Sequence, residues 1–433
     1  RGPSHMGPSA AAHPALFALA WAGAATLGRW RTSSSCPGRL TAKRTRTAAV
    51  AAGGRAPEQR KLANRLWDSG VERYFAGQVS GDATAGLSLL EASLAACGED
   101  AARHHFLGAR HAAAGSVREA ARCWEAAIAA DQAFHDAYIE LVNLHEEEGD
   151  FAAAREVATR AVERGAYWAD AWQRPEFFVR GLASSPWWRP RDVPWVAELE
   201  AAYPEIKQEL VAFLEQQGLQ LAHWSSIGST EGDSHDAELV SEGGSWRLID
   251  LVGDYDALSV AARRAFPRTM SCIRRVIPEA VEMAEMGLGE VLISALTPGT
   301  HLKPHCVQNN FRLTCHLGLL CPEGARLRVG PSWREWQEGR CLVFDDSYEH
   351  EVWNDGHGLR VVLLIRFWHP DLPKGRRALA PDLDAMAQFD LQRRSWIPPM
   401  SPDQAETVRR RLEAEVEAGR GGEDAVALLG LLD

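Results

Sequence analysis

Cysteine is scarce in this chain, eight among 433 residues, and none falls in a CxxC pair or in a spacing that suggests a zinc site or a disulfide framework. Reduced thiols are expected. Long apolar runs are missing too: the longest, Ala15 to Gly28, falls short of the roughly 18–20 residues that a bilayer-crossing helix needs, so no stable transmembrane span is expected. Acidic residues are absent from the first 57 positions, which carry eight basic side chains. The rest of the chain holds 39 basic against 58 acidic residues. A body that acidic repels phosphate backbones, which argues against a nucleic-acid partner.

Hydrophobic residues at 46% and charged residues at 24% leave ample material for packed cores. A chain of 433 residues is too long for one such core, so two or three units are expected. Arg1 to Met6 reads as a cloning scar ahead of a start at Met6. From there to about Gly54 the short apolar run is joined to a stretch rich in Ala, Ser, Thr and Arg, the make-up of an organelle transit peptide. A plastid or mitochondrial destination is the expectation, with the secretory pathway, a plain basic tail or a short membrane anchor as alternatives.

Gly81-Asp82, Gly115-Ser116 and Gly149-Asp150 recur every 34 residues, which is the tetratricopeptide period. Leu90, Trp124 and Ala158 share that spacing, as do Leu94, Ile128 and Val162, and Leu107 with Leu141. Small residues at Ala120, Ala121, Ala153 and Ala154 let paired helices approach closely. The pattern predicts two and a half to three helix pairs, with a plain helical bundle as the alternative. A concave face of such repeats suits a peptide or protein partner; otherwise the repeats brace the catalytic domain. From Trp168 onward, tryptophans interleave with Pro175, Pro186, Pro190 and Pro194, which marks a boundary. Pro204 to Gln217 then reads as a helix ending before Gly218.

Between residues 290 and 370 the periodicity shortens. Val291 to Ser294, Phe311 to Leu320, Arg326 to Val329, Cys341 to Phe344 and Arg360 to Phe367 read as strands of a sandwich or barrel. Six of the fifteen histidines lie between His301 and His369, a concentration that asks for a metal. His301 and His305 have a helical metal-binding spacing, but Pro298, Gly299 and Pro304 exclude a helix there. His305 and His350 make a better pair, since a rolled-up sheet brings such positions together. An iron(II) oxygenase normally adds a carboxylate two residues after its first histidine, and that position here is Val307.

The run Pro298 to His305, then Asn310 to Leu319, Trp336 to Gly339, Phe344-Asp345-Asp346-Ser347-Tyr348-Glu349-His350-Glu351-Val352-Trp353-Asn354, Arg360 and Trp368-His369-Pro370 resemble the aspartyl/asparaginyl β-hydroxylase family. Weaker similarity reaches back through Pro186-Trp187-Trp188 and Gly181-Leu182, so it spans about residues 175 to 372. The resemblance implies a double-stranded β-helix and an oxygenase that uses Fe(II), O2 and 2-oxoglutarate. It implies iron held by His305 and His350 with no carboxylate. It also implies Arg360 on the far carboxylate of 2-oxoglutarate, Ser294 as its hydroxyl helper, and His316 near the metal-bound end of that co-substrate. A guanidinium presents a two-pronged fork that fits a carboxylate, which lysine lacks.

One position departs from the family pattern. Thr314 stands where the family commonly has a second arginine, between Arg312 and His316 on one face of a strand. Arg312 or a substrate group is expected to compensate, or the first carboxylate of the co-substrate is held more weakly. The change bears on peptide aspartate hydroxylation more than on the oxygenase chemistry, and a small molecule, such as a plastid pigment precursor or an amino-acid derivative, is the alternative to a protein Asp or Asn substrate. Desaturation is the alternative outcome of the same chemistry, and two more readings compete with it: halogenation, and a non-catalytic scaffold with a decayed site. His301, His357 and His369 are expected to be structural, Asp345 and Asp346 to form a turn before His350, and Trp353 and Trp368 to lie in the core.

Ser401, Pro402 and Gln404 form a capping signal that opens an amphipathic helix to about Ala418, whose charges mark a solvated face. The expected architecture is an α+β multidomain chain. Residues 1–57 are leader, 58–170 helical repeats, 171–375 a jelly-roll oxygenase domain with flanking helices, and 376–433 a helical extension.

Overall fold

A computed structural model describes residues 57–80, 83–97, 100–216, 224–226, 239–240, 244–252, 257–374, 398–419 and 429. The leader, the first repeat turn at Gly81-Asp82, and the end of the helix expected to reach Gln217 lie outside the described residues. The described residues up to Ala130 form one compact unit with those from 398 onward; the described residues from Asp131 to 374 form a second. No described helix is long and apolar enough to cross a membrane. The described cysteines are all free thiols.

In the first unit the helices are α1 (Pro57–Ser80), α2 (Thr84–Ala96), α3 (Ala101–Ala113) and α4 (Val117–Ala130). Ala63, Trp67, Val71 and Phe75 recur at helical spacing along α1 and are buried, with Leu90, Leu94 and Phe106 facing them. Between α3 and α4 the chain turns at Gly115, whose φ of 73° favours a residue without a Cβ. Its N–H donates to Ala112 O and the next N–H to His111 O. The same pair of bonds recurs 34 residues on, at Gly149 to Glu146 and Asp150 to His145. The period read from sequence is thus a repeated helix-ending turn.

The C-terminal helix, Pro402–Glu417, begins as expected, with Ser401 Oγ accepting from the Gln404 N–H at 3.2 Å. It is more than a solvated helix. Val408 and Leu412 are buried in one cluster with Trp67, Val71 and Phe75, and Trp67 Nε1 donates to Pro399 O. Burying two such side chains stabilises the unit by about 1.5–3 kcal/mol each.

The second unit opens with α5 (His135–Glu147) and α6 (Phe151–Glu163), so this repeat pair belongs with the sheets, where sequence placed the break near residue 170. The physical reason is a set of buried charges. Glu349 of the sheet region is met by Arg155 of α6 at 2.9 Å and by Arg174 at 2.7 Å, and Arg174 is also bonded to Glu146 of α5. Buried charges need such partners.

Among the described residues the named strands pair antiparallel throughout. The strands are β1 (Trp187–Trp188), β2 (Ser225–Ser226), β3 (Trp246–Asp250), β4 (Val291–Leu296), β5 (Thr300–His305), β6 (Arg312–Leu320), β7 (Ala325–Val329), β8 (Ser332–Glu335), β9 (Cys341–Phe344), β10 (His350–Asn354) and β11 (Arg360–Trp368). One sheet has the order β1-β9-β6-β11-β4-β3-β2, and the other β5-β10-β7-β8. Side-chain alternation splits each long strand between two layers. Leu313, Cys315, Leu317 and Leu319 of β6, with Val361, Leu363 and Ile365 of β11, pack on helices α7 (Val196–Ala201), α8 (Tyr203–Gln216), α10 (Pro267–Val276) and α11 (Pro278–Glu285); the short α9 (Ala257–Ala262) precedes α10. The opposite face meets the small sheet through Leu296, Leu302, Leu327, Val329, Phe344, Val352 and Val362. The result is the double-stranded β-helix expected, with flanking helices. β5 carried no strand signal because it holds Lys303 and Pro304, and a proline is tolerated there because β5 is an edge strand.

Candidate active site

β5 and β10 lie side by side, and their register places His350 directly opposite His305. The ring centroids are 4.1 Å apart, with the planes inclined by 52°. Each ring is tied to its own strand in the same way: Nδ1 of His305 meets Lys303 O at 2.7 Å, and Nδ1 of His350 meets Tyr348 O at 2.9 Å. A carbonyl only accepts, so Nδ1 carries the proton and the lone pair sits on Nε2, the tautomer a metal requires. Burial pushes the His350 imidazole below its ordinary value, which keeps it neutral. His350 is buried, whereas His305 is half-exposed, so the pair is approached from the β5 side.

On the large sheet, β11 begins with Arg360, which is 2% exposed. Its Nη1 is 3.5 Å from Ser294 Oγ on β4, its Cζ lies 4.9 Å over the Trp336 ring, and its Nε is buried without a partner. No carboxylate pairs with it among the described residues, and burial pulls the guanidinium down to about 9. Such a cation is held ready for an anion. Ser294 Oγ also accepts from Trp246 Nε1 at 3.1 Å. His316 of β6 is buried with both ring nitrogens unpartnered, stacked on Trp336 and edge-on to Phe344. Burial, then the Arg360 charge, holds it well below the ordinary imidazole range, so it is neutral.

Thr314 shares the inner face of β6, and its register partner on β11 is Arg366. Thr314 Oγ1 donates to Asp346 Oδ2 at 2.8 Å, and Arg366 Nε lies 3.3 Å from the same oxygen in an ion pair off hydrogen-bond geometry. Arg366 also meets Glu290 at 2.8 Å. The cation missing from β6 is thus matched by one on the neighbouring strand. Burial opposes charge on Asp346, but the Arg366 and Arg312 guanidiniums hold its carboxyl below the ordinary range. The expected turn role is therefore corrected for Asp346, whose side chain faces inward; its Oδ1 is buried and unpartnered. Arg312 Nη1 donates to Leu288 O at 2.6 Å, and its Nε has no partner.

Asp345 does serve the turn, accepting from the Ser347 N–H at 3.0 Å and from Gln173 Nε2 at 2.9 Å. His369 is buried against Ala183 O and Trp188, and His357 is exposed. His301 stacks on Trp353 at 3.8 Å and meets Glu351. Trp353 was expected in the core; it lies half-buried on the outer face of the small sheet, because β10 turns Val352 inward and its neighbours outward. Trp368 is buried as expected. Sequence reasoning missed Arg366, Trp246 and the inward role of Asp346. The one available signal was parity: Arg366 falls on the same strand face as Arg360, a charge amid apolar residues. Among the described residues, no cluster of three or more His, Cys, Asp or Glu side chains is placed to hold a metal ion.

The family model described as Aspartyl/Asparaginyl beta-hydroxylase matches residues 200–370. That segment belongs to the aspartyl/asparaginyl β-hydroxylase family. The human aspartyl/asparaginyl beta-hydroxylase is 33% identical over 219 residues, covering 49% of this chain and 26% of that protein. An ornithine lipid ester-linked acyl 2-hydroxylase of Rhizobium tropici is 33% identical over 192 residues, covering 44% and 62%. The rat aspartate beta-hydroxylase domain-containing protein 2 is 33% identical over 215 residues, covering 47% and 57%. The chain thus spans between 26% and 62% of the length of these relatives. A solved Pseudomonas putida prolyl-4-hydroxylase covers 34% of this chain and 92% of its own at 16% identity and a TM-score of 0.19, a likeness too slight to carry an argument. The β-hydroxylase-family segment contains both strands of the His305/His350 pair, together with Ser294, His316 and Arg360.

Proposed function

We propose that the second unit is a hydroxylase of the aspartyl/asparaginyl β-hydroxylase kind, dependent on iron(II) and 2-oxoglutarate. The observation that carries this reading is the facing pair His305 and His350, each with Nδ1 tied to a carbonyl and its lone pair on Nε2. Neutral imidazole nitrogen suits iron(II). The buried, unpaired Arg360 guanidinium fits the far carboxylate of 2-oxoglutarate, and the orphaned nitrogens of His316 fit a polar group beside the metal. Bound there, iron(II) and 2-oxoglutarate supply the oxidation: dioxygen hydroxylates a C–H bond of the substrate while 2-oxoglutarate leaves as succinate and carbon dioxide.

The chain's own residues bind and orient. Arg360, placed over Trp336 and beside Ser294, fixes one end of the dicarboxylate in a dry setting where an ion pair is strong. The carbonyls of Lys303 and Tyr348 hold the two rings in a single tautomer. Half-exposed His305 leaves the substrate side open.

The relatives' names include both an aspartyl/asparaginyl and a lipid acyl hydroxylase, so the substrate is sought in both classes. The test is succinate release by the full chain with iron(II), ascorbate and 2-oxoglutarate against Asp- and Asn-containing peptides and against lipid and metabolite pools. Turnover that vanishes in His350→Ala supports the reading. Equal turnover in parent and His350→Ala would overturn it.

A further inference from the structure

Acids flank the buried histidine of β10: the order is Glu349-His350-Glu351. Alternation along a strand turns His350 inward and both neighbours outward. On the outer side stands Arg328 of β7, whose register partner is Glu351. Its Nη2 donates to Glu349 Oε1 at 2.8 Å and its Nε to Glu351 Oε1, while Nη1 donates to Gly330 O at 2.8 Å. One guanidinium thus bridges the residues before and after the histidine.

The two acids are anchored further. Glu349 is 1% exposed and also takes Arg174 at 2.7 Å and Arg155 at 2.9 Å. Its N–H donates to Trp172 O, and its carbonyl accepts from the Gly330 N–H. Glu351 Oε2 takes Trp353 Nε1 at 3.0 Å and meets His301 Nε2 at 3.1 Å. This reinforcement stands beside an irregularity in the ladder: between His350 and Val352 the β5–β10 register shifts, with the extra residue on β5 between Leu302 and His305, while the β10–β7 register runs unbroken. A bulge interrupts regular hydrogen bonding, so at His350 the strand β10 is held less firmly on its β5 side than on its β7 side.

We infer that Arg328 is a positioning residue, which by joining Glu349 to Glu351 on the outer face holds His350, opposite the bulged strand β5, at the angle that metal binding needs. The inference rests on the reading of His305 and His350 as metal ligands. Guanidinium geometry matters to it, because the spread of a rigid planar fork gives Nε, Nη1 and Nη2 each its own acceptor, which a compact ammonium does not match. A clip that only stabilised the fold would change unfolding and leave the metal affinity alone.

The experiment titrates the metal-free full chain with cobalt(II), reading the visible d–d absorption bands and the dissociation constant, beside a thermal unfolding midpoint. Arg328→Met should weaken cobalt binding roughly ten- to hundredfold, the range typical of lost partners behind metal ligands, and shift the bands. Arg328→Lys should recover only part. Glu351→Gln, which keeps its shape and leaves the Glu349 contacts in place, serves where Arg328→Met does not fold, and should weaken binding severalfold. Parent-like affinity and bands in a folded Arg328→Met or in Glu351→Gln, with only the midpoint lowered, overturn the inference and leave the metal reading intact. A parent that binds no cobalt, or binding that survives His350→Ala, overturns both.

Discussion

His305 and His350 meet ring to ring across the β5–β10 ladder, and each is tethered through Nδ1 to the carbonyl oxygen two residues before it. Because both nitrogens proposed as metal ligands come from this one strand pair, His305→Ala and His350→Ala should each abolish cobalt(II) or iron(II) binding while leaving the far-ultraviolet circular dichroism unchanged. A variant that retains the parent's metal stoichiometry would show that its ring is not a ligand.

Arg360 is buried without a carboxylate partner, an arrangement that costs stability until an anion arrives. Arg360→Met should therefore raise the unfolding midpoint of the ligand-free protein, in line with the roughly 1–4 kcal/mol gained when apolar residues replace buried charges. The parent should gain thermal stability from 2-oxoglutarate, and the same change should remove that gain. A lower midpoint without ligand would mean that the guanidinium already has a partner.

Asp346 is buried between Thr314 and Arg366. Stripping a buried pair of one member costs about 3–5 kcal/mol, so Arg366→Ala should lower the denaturant midpoint by an amount of that order. Adding Thr314→Arg supplies a guanidinium from the opposite strand position and should restore part of the loss. Strict additivity of the two changes in a double-mutant cycle would refute the exchange.

Burial pushes the Asp345 carboxyl up to about 8. An acid that holds its proton more tightly when folded stabilises the fold fully below the ordinary carboxylate value near ~4, and that contribution is lost as pH rises through the folded value. Asp345→Asn lacks it. The midpoint difference, variant minus parent, should grow from pH 5 to pH 9 on top of a constant offset for the altered Gln173 bond. A flat difference would mean that Asp345 is already ionised in the fold at pH 5.

Leu412 of the C-terminal helix is 2% exposed in the cluster around Trp67. Leu412→Ala should destabilise the first unit by about 2–5 kcal/mol, seen as faster amide exchange in α1 and α3 with β6 and β11 unchanged. Unaltered exchange in α1 would mean the helix contributes nothing to that core.

Local patterns reveal themselves in the sequence because neighbouring residues generate them. The 34-residue turn at Gly115 and Gly149, the Ser401 cap and the alternation of β6 and β11 are short-range periodicities, and each could be read directly. The ordered run around His350, and its likeness to a known family, supplied the candidate residues. Relations between strands were a different matter. Nothing near Thr314 in the chain announces that Arg366 lies opposite, that Arg155 of a repeat helix reaches Glu349, or that Arg328 bridges the two acids beside His350. Register and helix docking decide such contacts. They are set by hydrogen-bond ladders and buried charges that close only when distant segments meet, so only the tertiary structure could disclose them.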